Sequence, residues 1–176
     1  MANAVWNVDK VHSVIGFSVK HMMISNVKGT FDEFEGTAEA DTNDLTDASI
    51  EVKIDTNSIN TRKEDRDEHL RSADFFDVEN HPYITFKATD IEKKSNDRYD
   101  VTGDFTIRGV TQSVTFDVVF EGEAKDPMTG DEAAGFTGST KISRKDFGLT
   151  WNAALETGGV VVGDEIKIDI EIQLRK

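Results

Sequence analysis

Apolar and polar residues alternate with a period of two along most of this chain, the pattern of strands that bury one face. The last segment is the clearest: Ile166, Ile168, Ile170, Ile172 and Leu174 alternate with Lys167, Asp169, Glu171 and Gln173. A helix would scatter those apolar positions around its axis. Ile15, Phe17 and Val19 repeat the pattern, as do Ile50, Val52 and Ile54, and Ile84, Phe86 and Ala88. So do Tyr99, Val101, Phe105 and Ile107, then Val114, Phe116, Val118 and Phe120, then Phe136, Thr140 and Ile142. One segment changes phase: Val27, Gly29 and Phe31 are odd, whereas Phe34, Gly36, Ala38 and Ala40 are even. A bulge near Asp32-Glu33 restores the inward face and bends the strand.

The count is about eight strands. Alternation with one wet face means antiparallel pairing, since parallel strands read as apolar on both faces. The expected fold is therefore all-β, an eight-stranded antiparallel barrel in a single domain spanning residues 1–176. Gly109-Val110-Thr111 is expected to join two strands as a hairpin loop. Asp126-Pro127-Met128-Thr129-Gly130 has the Pro and Gly of a type I turn. The exception is residues 56–82. Thr61-Arg62-Lys63-Glu64 has the spacing of a capping box. Leu70, Ala73 and Phe76 then offer a narrow apolar stripe. One or two short helices closing an end of the barrel are expected there.

Composition narrows the function. There are no cysteines, which excludes disulfides, thiolate zinc sites and cysteine nucleophiles. The 34 acidic and 20 basic residues leave a net charge of −14, which repels nucleic acid and does not favour an anionic surface. No run approaches the roughly 20 apolar residues of a membrane helix, so stable membrane insertion is not expected. Residues 1–9 show no signal peptide. The chain as written is expected in the cytoplasm, and in the periplasm or outside the cell if a leader has been removed.

A barrel of eight strands is just wide enough for side chains to fill it or for one small ligand to occupy it. Many inward positions are small: Gly29, Gly36, Ala38, Ala40, Ala88, Gly103, Gly138 and Thr140. An empty void is destabilising, on the order of 24 cal/mol per Å³. Such a barrel either flattens or is filled, and the inward rings of Phe17, Phe31, Phe34, Phe86, Phe105, Phe116 and Phe136 make the filler apolar. Against this stands the ordinary reading, in which inward glycines mark sharp barrel bends and phenylalanines are core. Val19, Ile107 and Ile142 join the rings as candidate ligand-lining residues.

Four polar or amphipathic positions remain. Arg144 shares inward parity and either anchors a polar or anionic headgroup or pairs with an acid such as Asp146. His21 either meets a headgroup or caps the core. Trp6 and Trp151 are expected to pack at barrel ends, with stacking on a ligand as the alternative. His12, His21, His69 and His81 lack metal-ligand spacing, and Glu64-Asp65 and Asp67-Glu68 lack a calcium-loop frame, so no metal is expected. No nucleophile elbow or phosphate loop is present, and Gly158-Gly159 is read as a turn.

Several ordered motifs carry a family resemblance. Trp6-Asn7-Val8-Asp9-Lys10-Val11-His12-Ser13, Phe17-Ser18-Val19-Lys20-His21, Gly29-Thr30-Phe31 and Phe34-Glu35-Gly36 open it. Residues 69–77 (His-Leu-Arg-Ser-Ala-Asp-Phe-Phe-Asp), 82–86, 103–111 and 143–148 complete it. Together they resemble the YceI-like family over nearly the whole chain. The resemblance implies a lipocalin-like barrel that binds polyisoprenoid chains, such as isoprenoid quinones or related amphiphiles, and it implies a homodimer. The bound isoprenoid or fatty lipid would be a ligand, with no cofactor. Three functions compete. The leading one is a non-enzymatic carrier or store of a long-chain lipid. The others are a lipid-modifying enzyme using His21 or Arg144, and an inert barrel whose 56–82 segment contacts a protein.

Overall fold

The computed structural model describes residues 4–152 and 161–176. Among them are eleven strand segments in one antiparallel sheet. They are β1 (Ala4–Val8), β2 (Val14–His21), β3 (Ser25–Phe31), β4 (Phe34–Asp41), β5 (Asp44–Asp55), β6 (Ile59–Asn60), β7 (Tyr83–Lys93), β8 (Arg98–Ile107), β9 (Val110–Lys125), β10 (Glu132–Ser143) and β11 (Val162–Arg175). Three barrel strands are each broken once: β1 runs on into β2, β3 into β4, and β5 into β6. Counting each broken pair as one strand gives the eight-stranded antiparallel barrel that the alternation predicts. Pairing of β1 with both β4 and β11 closes the ring.

The three breaks lie side by side and hold one another. Asp32 N–H donates to the Ser58 carbonyl at 3.2 Å, and Asp55 N–H to the Glu33 carbonyl at 2.9 Å. Asp9 and Asp55 each start a short 3₁₀ turn by accepting the N–H two residues on, from Val11 and Asn57, both at 3.0 Å. The parity change at Asp32-Glu33 is real. Phe31 sits between Ile15 and Ile59, Phe34 lies opposite Ile54, and both rings are buried. The two intervening residues bend the strand without turning its apolar face outward.

One connection differs from the capping-box expectation. The helix α1 (Glu64–Arg71) begins two residues later, with Lys63 before it and no side-chain cap. Thr61 instead donates both its N–H and its hydroxyl to the buried Asp67 carboxylate, at 2.9 and 2.5 Å. The helix also ends at Arg71, so Ala73 and Phe76 are not on it. Phe76 N–H bonds back to the Leu70 carbonyl at 3.0 Å, which turns its ring onto the core beside Leu70. A second difference is the β8–β9 hairpin, whose turn residues are Arg108-Gly109, both with positive φ (51° and 74°). That is the geometry of a two-residue primed turn. A turn forms at 126–130 as expected, but it is closed one residue wider than a type I turn, by Gly130 N–H to the Asp126 carbonyl at 2.7 Å. Gly158-Gly159 lies outside the described residues.

The β1–β11 seam is only two residue pairs long, Asn7 with Arg175 and Val8 with Leu174. It is clamped by Arg175, which donates to Asp9 at 2.6 Å and to Asp126 at 2.9 Å. The Arg175 guanidinium holds the Asp9 carboxyl down to about 2, with His12 and the Val11 N–H assisting and partial burial opposing. An unfolded Asp titrates near 3.9, so the clamp is fully present above that pH and is lost as pH falls toward 2. Asp9→Asn should therefore lower stability by about 1 kcal/mol at neutral pH. In urea melts, its difference from the unsubstituted chain should shrink steadily between pH 4 and pH 2.

Candidate functional site

The inward faces enclose two cavities along the barrel axis. The larger, of about 170 Å³, lies toward the β1 end; its walls include Trp6, Val8, Ala38, Ala40, Leu45, Ile50, Ile91, Tyr99, Val101, Ala134, Phe136, Ile172 and Leu174. For scale, an engineered cavity of about 150 Å³ takes up benzene. The smaller, of about 90 Å³, lies under α1, walled by Phe17, Val19, Phe31, Ile59, Leu70, Phe75, Phe76, Ile107, Ile142, Leu149, Val162 and Ile166. Ile15 and Ile168 line both, so the cavities abut at the waist of the barrel. Lining residues run along β11 from Val162 to Leu174, about 40 Å of strand at 3.3 Å per residue. Almost no nitrogen or oxygen surface opens into the larger cavity and none into the smaller.

The glycines do not make this space. A Cβ on Gly29 would lie 2.5 Å from the Phe17 ring, and one on Gly103 2.6 Å from the Phe86 ring. Gly138 is covered by Ile170, and Gly36 by Val8 and Val52. Each seats a neighbouring side chain, so the expectation that inward glycines leave a void is corrected. The room comes from alanines: Ala38, Ala40, Ala48 and Ala134 all line the larger cavity. Phe86, Phe105, Phe116 and Phe147 form an edge-to-face and tilted cluster at centroid spacings of 5.3–6.1 Å, which makes one side of the waist solid.

Of the candidate lining residues, Phe17, Val19, Phe31, Ile107, Ile142 and Arg144 reach the smaller cavity, and Phe86, Phe116 and Phe136 the larger. Four do not reach either wall. Phe34 and Phe105 are packed behind it in the core. His21 lies past Val19 at the base of the β2–β3 turn, paired with Ser25. Trp151 packs against His69 and Phe75 over α1, at 4.9 and 5.3 Å. Sequence reasoning missed Leu45, Ile91, Ala134 and Trp6 as lining residues. Inward parity with Phe136 marks Ala134, and parity with Val8 marks Trp6; Leu45 lies just beyond a turn, where alternation has too few residues to read.

Arg144 is 5% exposed and occupies the smaller cavity's end. The expected acid partner does not hold it. Its N–H groups donate to four carbonyls: Gly163 at 2.8 Å, Leu149 at 2.9 Å, Trp151 at 3.2 Å and Val162 at 3.3 Å. Asp146 is not among its partners. Burial pushes its pKa below the usual guanidinium value, opposed by Asp164 nearby. Asp164 in turn accepts from the Ser143 hydroxyl and the Lys145 N–H. Arg144 thus ties the 149–151 loop to the start of β11 and plugs that end. Trp6 Nε1 and Thr56 Oγ1 are buried without a hydrogen-bond partner among the described residues.

A closed eight-stranded barrel around two abutting apolar cavities has a lipocalin-like architecture. The chain belongs to the YceI-like family, whose domain matches residues 6–174. It is 45% identical over 164 residues to the UPF0312 protein SERP2314 of Staphylococcus epidermidis, covering 93% of each chain. It is 43% identical over 161 residues to the UPF0312 protein SA2479 of Staphylococcus aureus, covering 92% of this chain and 91% of the other. Its fold superposes on Burkholderia cenocepacia BcnA with a TM-score of 0.82 at 24% identity, over 94% of this chain and 98% of that one. The Campylobacter jejuni YCEI protein matches at 0.76 and 33% identity over 89% of each chain. A polyisoprenoid binding domain from Saccharophagus degradans matches at 0.73 and 16% identity over 97% of each.

Replacing Arg144 by Met would leave buried carbonyls without their donors, an expected loss of about 3 kcal/mol. Arg144→Lys should recover little of it, because one ammonium cannot span four carbonyls. Urea unfolding of both variants measures this; full stability in Arg144→Lys would contradict the assigned clamp.

Proposed function

We propose that this protein binds a long-chain isoprenoid or a similarly apolar lipid inside the barrel and carries or stores it without chemical change. The observation that carries the reading is the lumen: long, narrow and almost without exposed nitrogen or oxygen. Burial of hydrocarbon there is favourable by about 0.8 kcal/mol per methylene. A dozen methylenes give on the order of 10 kcal/mol before the ordering of the chain is subtracted. No hydrogen bond is needed, and none is offered. The named ligand class of the Saccharophagus neighbour agrees with this chemistry. Turnover would require polar groups converging on a reacting atom. The cavity walls supply apolar surface, and the Arg144 N–H groups face carbonyls, which favours binding over catalysis.

The test is mass spectrometry of an organic extract of the purified protein, alongside native mass spectrometry of the intact chain. One long-chain apolar molecule per barrel is expected, and a clean extract from several hosts would sink the reading. Ala38→Leu with Ala134→Leu fills the larger cavity and displaces about three methylene-sized groups per leucine, about 2 kcal/mol each. Lipid affinity should fall at least a hundredfold while the unfolding midpoint holds or rises, since filling an empty cavity stabilises the unliganded barrel.

A further inference from the structure

The β2–β3 hairpin ends in Met22, Met23 and Ile24, all exposed, with Ile24 81% accessible. The turn is closed by Ile24 N–H to the His21 carbonyl at 3.2 Å, and its two central residues have positive φ, 53° for Met22 and 64° for Met23. Asn and Gly occupy such positions at little cost; an unbranched apolar residue is uncommon there. Two methionines in that backbone, followed by an isoleucine in water, are unfavourable for folding twice over, and strain of this kind collects at functional segments. The other exposed large apolar side chains, such as Val11 and Met128, are scattered singly.

Charge sets this hairpin apart. From Lys10 to Phe31 the chain contains no Asp or Glu, although the protein has 34. Lys20 and Lys28 are exposed on its two strands and make no ion pair among the described residues. The hairpin also stands partly free. Among the described residues, β3 is paired beyond β2 only through Thr30 and Phe31 with β6, and the edge from Ser25 to Gly29 has no second strand beside it there. Its tip lies beside the end of the smaller cavity that Arg144 closes: Val19 and Val162 line that cavity, Val162 is opposite His21, and Met22 N–H bonds the Val161 carbonyl at 2.7 Å.

We infer that the β2–β3 tip is a docking element for an anionic lipid bilayer, with Met22, Met23 and Ile24 entering the interface and Lys20 and Lys28 meeting the headgroups. The net charge does not forbid this. At physiological salt a charge is screened over about 8 Å, so the acids at the far end of β11, about 40 Å away along the strand, contribute little at the tip. Near the surface, each lysine strengthens attachment to an anionic leaflet by roughly fivefold. The inference stands apart from the identity of the lumen ligand, because docking uses only the outer surface.

The experiment is co-sedimentation of the full chain with phosphatidylcholine vesicles containing roughly a third phosphatidylglycerol, at low and physiological salt. Partitioning is expected to exceed that on pure phosphatidylcholine and to weaken with salt. Met22→Asn/Met23→Gly/Ile24→Ser gives the turn residues its backbone favours. It should hold or raise the unfolding midpoint while reducing partitioning at least tenfold. Lys20→Gln/Lys28→Gln should reduce it by roughly twenty-five-fold on the anionic vesicles and little on neutral ones. Light scattering is run on the same samples. Equal partitioning of the unsubstituted chain and the triple variant would overturn the inference, as would no binding to any vesicle. A dimer that the triple substitution splits, with vesicle binding unchanged, would assign the tip to self-association and overturn it too. Extracted lipid content reads the lumen independently, so a failure there leaves these outcomes interpretable.

Discussion

Keeping one apolar face inward through three adjacent bends is the constraint on which this barrel depends. A strand that bends must either break its alternation or insert residues that restore it. Here the insertions are acidic or capping segments, at Asp9, at Asp32-Glu33 and at Asp55 to Ser58; the last two hydrogen-bond to each other across the sheet, and Lys10 beside the first pairs with Glu33. Because the bends are linked, the strand segments past them form a second, tilted part of the wall. That part holds the smaller cavity and the projecting hairpin. Without the parity change after Phe31, Phe34, Ala38 and Ala40 would face water and the larger cavity would lose its wall.

The lumen follows from how large and small residues are matched across that wall. Glycines placed beneath phenylalanines let the rings lie flat against the sheet, so aromatic bulk lines the barrel without crossing it. Ala38, Ala40, Ala48 and Ala134 line the larger cavity, and their short side chains leave open space there. The same barrel is therefore solid on one side of its waist, where Phe86, Phe105, Phe116 and Phe147 meet, and hollow on either side of it. Ile15 and Ile168 stand between the hollows.

Much of this was legible from alternation, because period two reports which residues face inward and needs no knowledge of the partner strand. It placed the eight strands, the bend at Asp32-Glu33 and most of the lining residues. What it could not report was contact across strands. Gly29 and Phe17 are opposite one another in the β2–β3 pairing, and only that register reveals that the glycine is covered. The helix start was misread for a similar reason. Thr61 has capping spacing to Glu64, but Asp67 offers it a buried carboxylate six residues on, which takes both the N–H and the hydroxyl that the box would use. Arg144 shows the limit most plainly. Parity put it inside, correctly, but its four carbonyl partners come from loop residues whose positions no periodicity encodes.

A lumen with almost no polar surface selects by length and shape rather than by headgroup. Each added methylene contributes the same increment until the walls end, and a polar group placed inside would lose its water without finding a partner. The polar end of any occupant therefore belongs at a mouth. At the α1 end the Arg144 guanidinium is already turned to the backbone, so it closes the lumen rather than inviting an anion. Hydrocarbon held this way has no attractive path through water, since leaving the barrel re-exposes all of its buried area at once. Exchange is fastest where the occupant passes from one apolar environment directly to another.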